Sequence, residues 1–154
     1  MEWTALAATV VGAVIGVGST LVTDRVSWRR DTRERGRETL RTVAAQFLEA
    51  LTEARDAMSD ASRSEHLPVA ERARLARAST SAQGVHAKQY QLELLATPEV
   101  AESARDASYR LLLYRDAVVA GHLRDDPECT QARRAFREAR QKLMTAMRSS
   151  LAPR

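Results

Sequence analysis

Three histidines, one cysteine and a basic run near the C-terminus are the residues of this chain equipped for catalysis or ligand binding. His66, His86 and His122 fall in a loop, in mid-helix and at a helix end of the pattern described below, and none reads as half of a helical metal pair. Cys129 is the single cysteine, which excludes an intramolecular disulfide and any site built from several thiolates. It stands on an apolar helix seam, the setting of a small buried residue rather than of a nucleophile. Arg133, Arg134, Arg137, Arg140 and Lys142 are opposed only by Glu138. A basic helix face can bind nucleic acid. Here no aromatic residues interleave the arginines and no helix-turn-helix glycine pattern precedes them. The run therefore reads as a solvated face, and nucleic acid is not an expected partner. No GxxxxGK[ST], GxGxxG after a strand, or GxSxG motif is present, and Gly12, Gly16 and Gly18 belong to an apolar helix rather than to a phosphate loop. The chain is not expected to be an enzyme, and no cofactor or metal is implied.

The elements that carry these residues begin with an uncharged stretch. Trp3 to Thr23 contains no charged side chain and is followed by seven arginines within residues 24–41. A helix of that length extends about 30 Å, the thickness of a hydrocarbon core. A cleaved secretory signal would need its positive charge on the other side, and buried core helices are usually shorter. Residues 1–23 therefore read as a transmembrane helix. Trp3 and Trp28 bracket it at headgroup spacing, and Arg25, Arg29, Arg30 and Arg33 complete the membrane-interface set. The arginine flank places the C-terminal portion in the cytoplasm and the N-terminus outside the plasma membrane. Small residues recur every fourth position at Thr4, Ala8, Gly12, Gly16 and Thr20. In lipid, such a stripe lets two backbones approach closely, so Ala8, Gly12, Gly16 and Thr20 form the expected association face of a homo-oligomer. Residues 24–39 are charged all round and read as a basic juxtamembrane stalk, able to engage anionic headgroups among the membrane lipids.

Residues 40–154 read as helix almost throughout. One seam runs Leu40, Ala44, Phe47, Leu51, Ala54, Met58, Ala61, and Pro68 is suited to the first turn of the next helix. The second seam, Val69, Ala73, Ala76, Thr80, Gln83, Ala87, Tyr90, Leu94, is weaker. Thr97-Pro98-Glu99 and Asp126-Pro127-Glu128 are helix-start signals. They introduce a third seam, Val100, Ala104, Ala107, Leu111, Tyr114, Val118, Gly121, and a fourth, Cys129, Ala132, Phe136, Ala139, Leu143, Ala146. Short connections make neighbours antiparallel. The fold expected is all-α: a transmembrane helix, a charged stalk and an antiparallel cytoplasmic bundle of four helices. A kinked continuous helix through Leu94 to Val100 would reduce these to three. Leu111-Leu112-Leu113 is broader than one seam requires.

Of 24 basic residues only Lys88 and Lys142 are lysine, and alanine occurs 27 times, a bias typical of high-GC bacterial genomes. The opening Leu6-Ala-Ala-Thr-Val-Val-Gly-Ala-Val-Ile-Gly-Val-Gly-Ser-Thr-Leu-Val-Thr-Asp-Arg-Val-Ser-Trp-Arg-Arg30 resembles the start of small uncharacterised single-pass membrane proteins of actinobacteria, of the streptomycete type. The resemblance covers about the first 40 residues and implies source and topology, not activity. The function expected is a membrane-anchored interaction or scaffold protein that self-associates through its span and presents its bundle to a cytoplasmic protein partner. The alternative is an oligomeric pore-forming or membrane-disrupting effector, which the absence of ionisable residues from the span disfavours.

Overall fold

The computed structural model describes residues 34–152. The chain divides into two compact units, Met1–Thr39 and Leu40–Arg154. In the first, residues 34–39 are helical. The second is built from helices alone among its described residues. Its helix α1 occupies residues 40–63, and α2 (Val69–Ala82), α3 (Val85–Leu95), α4 (Pro98–Val119) and α5 (Pro127–Leu151) follow.

Three of the four seams are buried as their spacing requires. In α1, Ala44, Phe47, Leu51, Ala54, Met58 and Ala61 are buried, and Leu40 packs against their edge. In α4 the buried set includes Val100, Ala104, Ala107, Leu111, Tyr114 and Val118, and in α5 it includes Cys129, Phe136, Ala139, Leu143 and Ala146. Ala132 is only half-buried. The leucine triplet resolves into one core residue, Leu111, a half-buried Leu112 and an exposed Leu113. The proline signals mark true starts, since Pro98 and Pro127 are the first residues of their helices. Thr97 and Asp126 stand at the N-cap with extended backbone, but neither side chain makes a capping hydrogen bond. Asp126 instead accepts a 2.7 Å bond from the backbone N–H of Leu123. Pro68 lies one position before the first turn, as the N-cap of α2.

The second seam does not run through. Val69, Ala73, Ala76 and Thr80 were expected inside, and the last three are buried, whereas Val69 is exposed. Beyond them the phase is lost. Ala87, Tyr90 and Leu94 point outward, and Val85, Gln89 and Leu92 are buried in their place. The cause is Gly84, which adopts the left-handed conformation with φ of 61° and starts α3 on a new rotation. A kink within the second rod therefore falls at Gln83-Gly84. Between Leu94 and Val100 the helix is not continuous, and the chain reverses as the four-helix reading expects. Arg105 reaches Glu93 at 3.2 Å although 12 residues separate them, a separation that would place them about 18 Å apart along one continuous helix.

α2 and α3 both pack on α4, which packs most extensively on α5. Leu40, Leu92, Val100 and Met147 meet at one end of the unit. Ser62, Tyr114 and Arg124 meet at the other, where the Arg124 N–H donates to the Ser62 carbonyl at 3.1 Å. The topology is thus up-down-up-down, with the second rod broken into α2 and α3. Replacing Leu111 by Ala should cost about 2–5 kcal/mol of unfolding free energy through the cavity it leaves. Leu113→Ala should cost less than about 1 kcal/mol. Thermal unfolding of the two variants, followed by circular dichroism, checks the contrast. Gly84→Ala should cost about 1–2 kcal/mol from backbone conformation alone, because a Cβ at this position meets nothing within 4 Å. Equal stability of this variant and the parent in the same assay would contradict the assigned backbone.

Candidate functional site

The association face expected at Ala8, Gly12, Gly16 and Thr20 lies outside the described residues, as do Trp3, Trp28, Arg25, Arg29, Arg30 and Arg33. Among the described residues no helix is long and apolar enough to cross a membrane.

The basic run of α5 splits into two faces. Arg134 and Lys142 are exposed, and Arg134 pairs with Glu138 at 3.1 Å, as a solvated face requires. Arg133, Arg137 and Arg140 follow one another at intervals of four and three, the spacing of a single helix stripe. They line a cavity of about 270 Å³ that Arg55 and Ser59 of α1, Arg124 of the α4–α5 connection and Phe136 complete. Arg133 and Arg140 are half-buried, so the expectation of a wholly solvated run fails for these two. Five guanidinium groups border this space and no carboxylate does.

Few of these cations are compensated. Arg55 pairs with Asp56 at 3.1 Å. Arg124 donates to the hydroxyl of buried Ser59 in a short hydrogen bond, and Arg140 Nη2 donates to Thr52 Oγ1 at 3.4 Å. Arg133 Nη1 and Arg140 Nε are buried without any hydrogen-bond partner among the described residues. The stripe was visible in the spacing of residues 133, 137 and 140. A search for apolar periodicity passes over it because all three residues are charged.

A buried cation also stands on α2. Arg72 is 5 % exposed, and its Nη2 donates to the Gly121 carbonyl at 3.0 Å. Its Nε and Nη1 have no partner among the described residues. This bond ties the first turn of α2 to the α4–α5 connection. There Gly121, at φ of 101°, leaves room for Val69, whose Cγ1 a Cβ would meet at 3.2 Å.

His122 has an acid four residues on, Asp126, contrary to the expectation that no histidine is half of such a pair. Its Nδ1 lies 3.8 Å from Asp126 and 3.4 Å from Glu128. His122 and Glu128 edge an open groove of about 340 Å³ between α4 and α5, which Leu113, Ala117 and Ala132 also line. No cluster of three or more potential metal ligands occurs among the described residues. Comparison with protein-family models, with curated proteins and with solved structures gives no match for the chain.

Cys129 is fully buried and its thiol contacts the His122 carbonyl at 3.6 Å. Burial first, then the charge of Asp126, pushes its pKa up to about 11. The thiol therefore stays protonated across the physiological range, which is the opposite of an activated nucleophile. At pH 8 Ellman's reagent should titrate it at least about a hundredfold more slowly in the folded protein than after denaturation. Because the folded value lies above the ordinary 9.0, the associated stabilisation is complete below pH 9 and disappears as the pH rises towards 11. A pH series of denaturation midpoints on the parent and Cys129→Ala should diverge in that window and nowhere below it.

Proposed function

We propose that the chain is a membrane-anchored helical interaction protein. It self-associates through its span and holds its bundle at the inner face of the plasma membrane for a cytoplasmic protein partner. The observation that carries this reading is the boundary at Thr23, where an uncharged segment long enough to cross a bilayer meets the arginine cluster. The described unit supports it in two ways. Its seams form a closed interior, so the bundle is a folded body that an anchor can present. Its α3 also carries Tyr90 and Leu94 one turn apart on the same face, 64 % and 84 % exposed, apolar surface available to a partner.

A periplasmic-activity reporter fused to the C-terminus should be silent in bacterial cells. The full chain in mild detergent should sediment as an oligomer that Gly12→Leu/Gly16→Leu reduces to a monomer. A monomeric parent sinks self-association. Dye leakage from vesicles carrying the parent, abolished by the same double substitution, would replace the scaffold by a pore.

A further inference from the structure

Buried guanidinium groups stay charged in proteins. Removing such charges from water is costly unless opposite charge and hydrogen-bond acceptors replace the solvent. The cavity between α1 and α5 departs from that requirement. Of its five arginines only Arg55 has a carboxylate partner among the described residues, Asp56. Arg124 and Arg140 reach only the neutral hydroxyls of Ser59 and Thr52. Arg133 and Arg140 each bury a nitrogen that donates to nothing. A bundle with an alanine-rich interior had no need to point these residues inward, since its neighbours Arg134 and Lys142 show that the same helix can hold its cations in water.

We propose that this cavity is a binding site for a small phosphate-bearing anion. Several unpaired guanidinium groups converge on the space. A lone carboxylate brings one charge and two oxygens, too few for them. A terminal phosphoryl group brings nearly two charges and three strong acceptor oxygens. The planar fork of arginine matches those oxygens in pairs. The volume of about 270 Å³ falls just below the ~300–1,000 Å³ of drug-sized ligand pockets, which limits the occupant to a phosphate, a diphosphate or a phosphomonoester headgroup. Arg133 and Arg140 bind it through the guanidinium edges that border the space, Arg124 and Arg137 close over it, and Ser59 holds Arg124 in place. Phe136 forms the apolar wall. The site is independent of the anchor reading, because every residue in it belongs to the bundle.

The test uses the full chain in phosphatidylcholine nanodiscs, titrated with sodium diphosphate against sodium chloride of equal ionic strength and read by thermal unfolding and calorimetry. Diphosphate should raise the melting temperature saturably and chloride should not. Arg133→Met and Arg137→Gln should each weaken diphosphate binding about tenfold or more. Arg134→Gln, on the solvated face, should leave it unchanged. Arg133→Met should also unfold no more easily than the parent in the absence of anion, since it removes an uncompensated buried charge. Because Arg137 is exposed, its variant keeps the test decisive if Arg133→Met folds poorly. A parallel set in nanodiscs containing phosphatidic acid separates the sources. Stabilisation there that requires Arg133 and is competed by diphosphate assigns a lipid headgroup. Response to soluble diphosphate alone assigns a free phosphate. No saturable shift with either, or equal loss of binding in Arg134→Gln, overturns the proposal. So does an oligonucleotide that binds more tightly than diphosphate and depends equally on Arg134 and Lys142.

Discussion

Close approach of helix backbones along alanine-rich seams is the constraint on which the unit depends. Nearly half of its buried apolar residues are alanine. Small seam residues bring helices to the near end of the usual 8–10 Å separation, and each contributes little buried area. Stability must therefore come from many fitted contacts rather than from a few large ones. The large side chains are spread thinly, with Phe47 on α1, Tyr114 on α4 and Phe136 on α5. Tyr114 is fully buried and its hydroxyl meets that of Ser62 at 3.3 Å, so even the largest core residue is tied in register by a polar contact.

Against that interior, the distribution of charge is uneven. Carboxylates and guanidinium groups pair freely on the exposed surfaces, as in Arg74 with Glu71 and Arg110 with Asp106. Such exposed pairs contribute little to stability. Arg72, Arg133 and Arg140, by contrast, each bury side-chain nitrogens that find no acceptor among the described residues. Arg72 is an isolated buried cation, with one nitrogen on the Gly121 carbonyl and two without a partner among the described residues. The cavity lined by Arg133 and Arg140 is the stronger case, since it gathers like charges in one place.

Periodicity made the first, third and fourth seams legible, because each is continuous, and the third and fourth open on a proline start. It failed on the second, where one glycine changes the rotation of the chain. A glycine inside a weak helical pattern is compatible with both a tolerated interior residue and a left-handed turn, and only the positive φ of Gly84 separates them. The arginine stripe was hidden for a different reason. Helix pattern reading assigns charged residues to solvent, whereas long arginine stems can lie along an interior and bring their heads together. The residues expected at a membrane are legible only as sequence, and Gly12 and Gly16 remain expectations of composition and spacing.

The contacts of α1 have a consequence for the order in which the bundle assembles. Its polar partners lie 52, 65 and 88 residues further along the chain, at Tyr114, Arg124 and Arg140. α4 and α5, in contrast, are joined by a short connection and can pair early, since closing a short loop loses little entropy. During synthesis α1 is the first bundle helix to leave the ribosome. The part of its apolar stripe that meets α5 must therefore stay uncovered until α5 is complete. The interval is an opening for chaperones, and for the same stripe on a neighbouring chain.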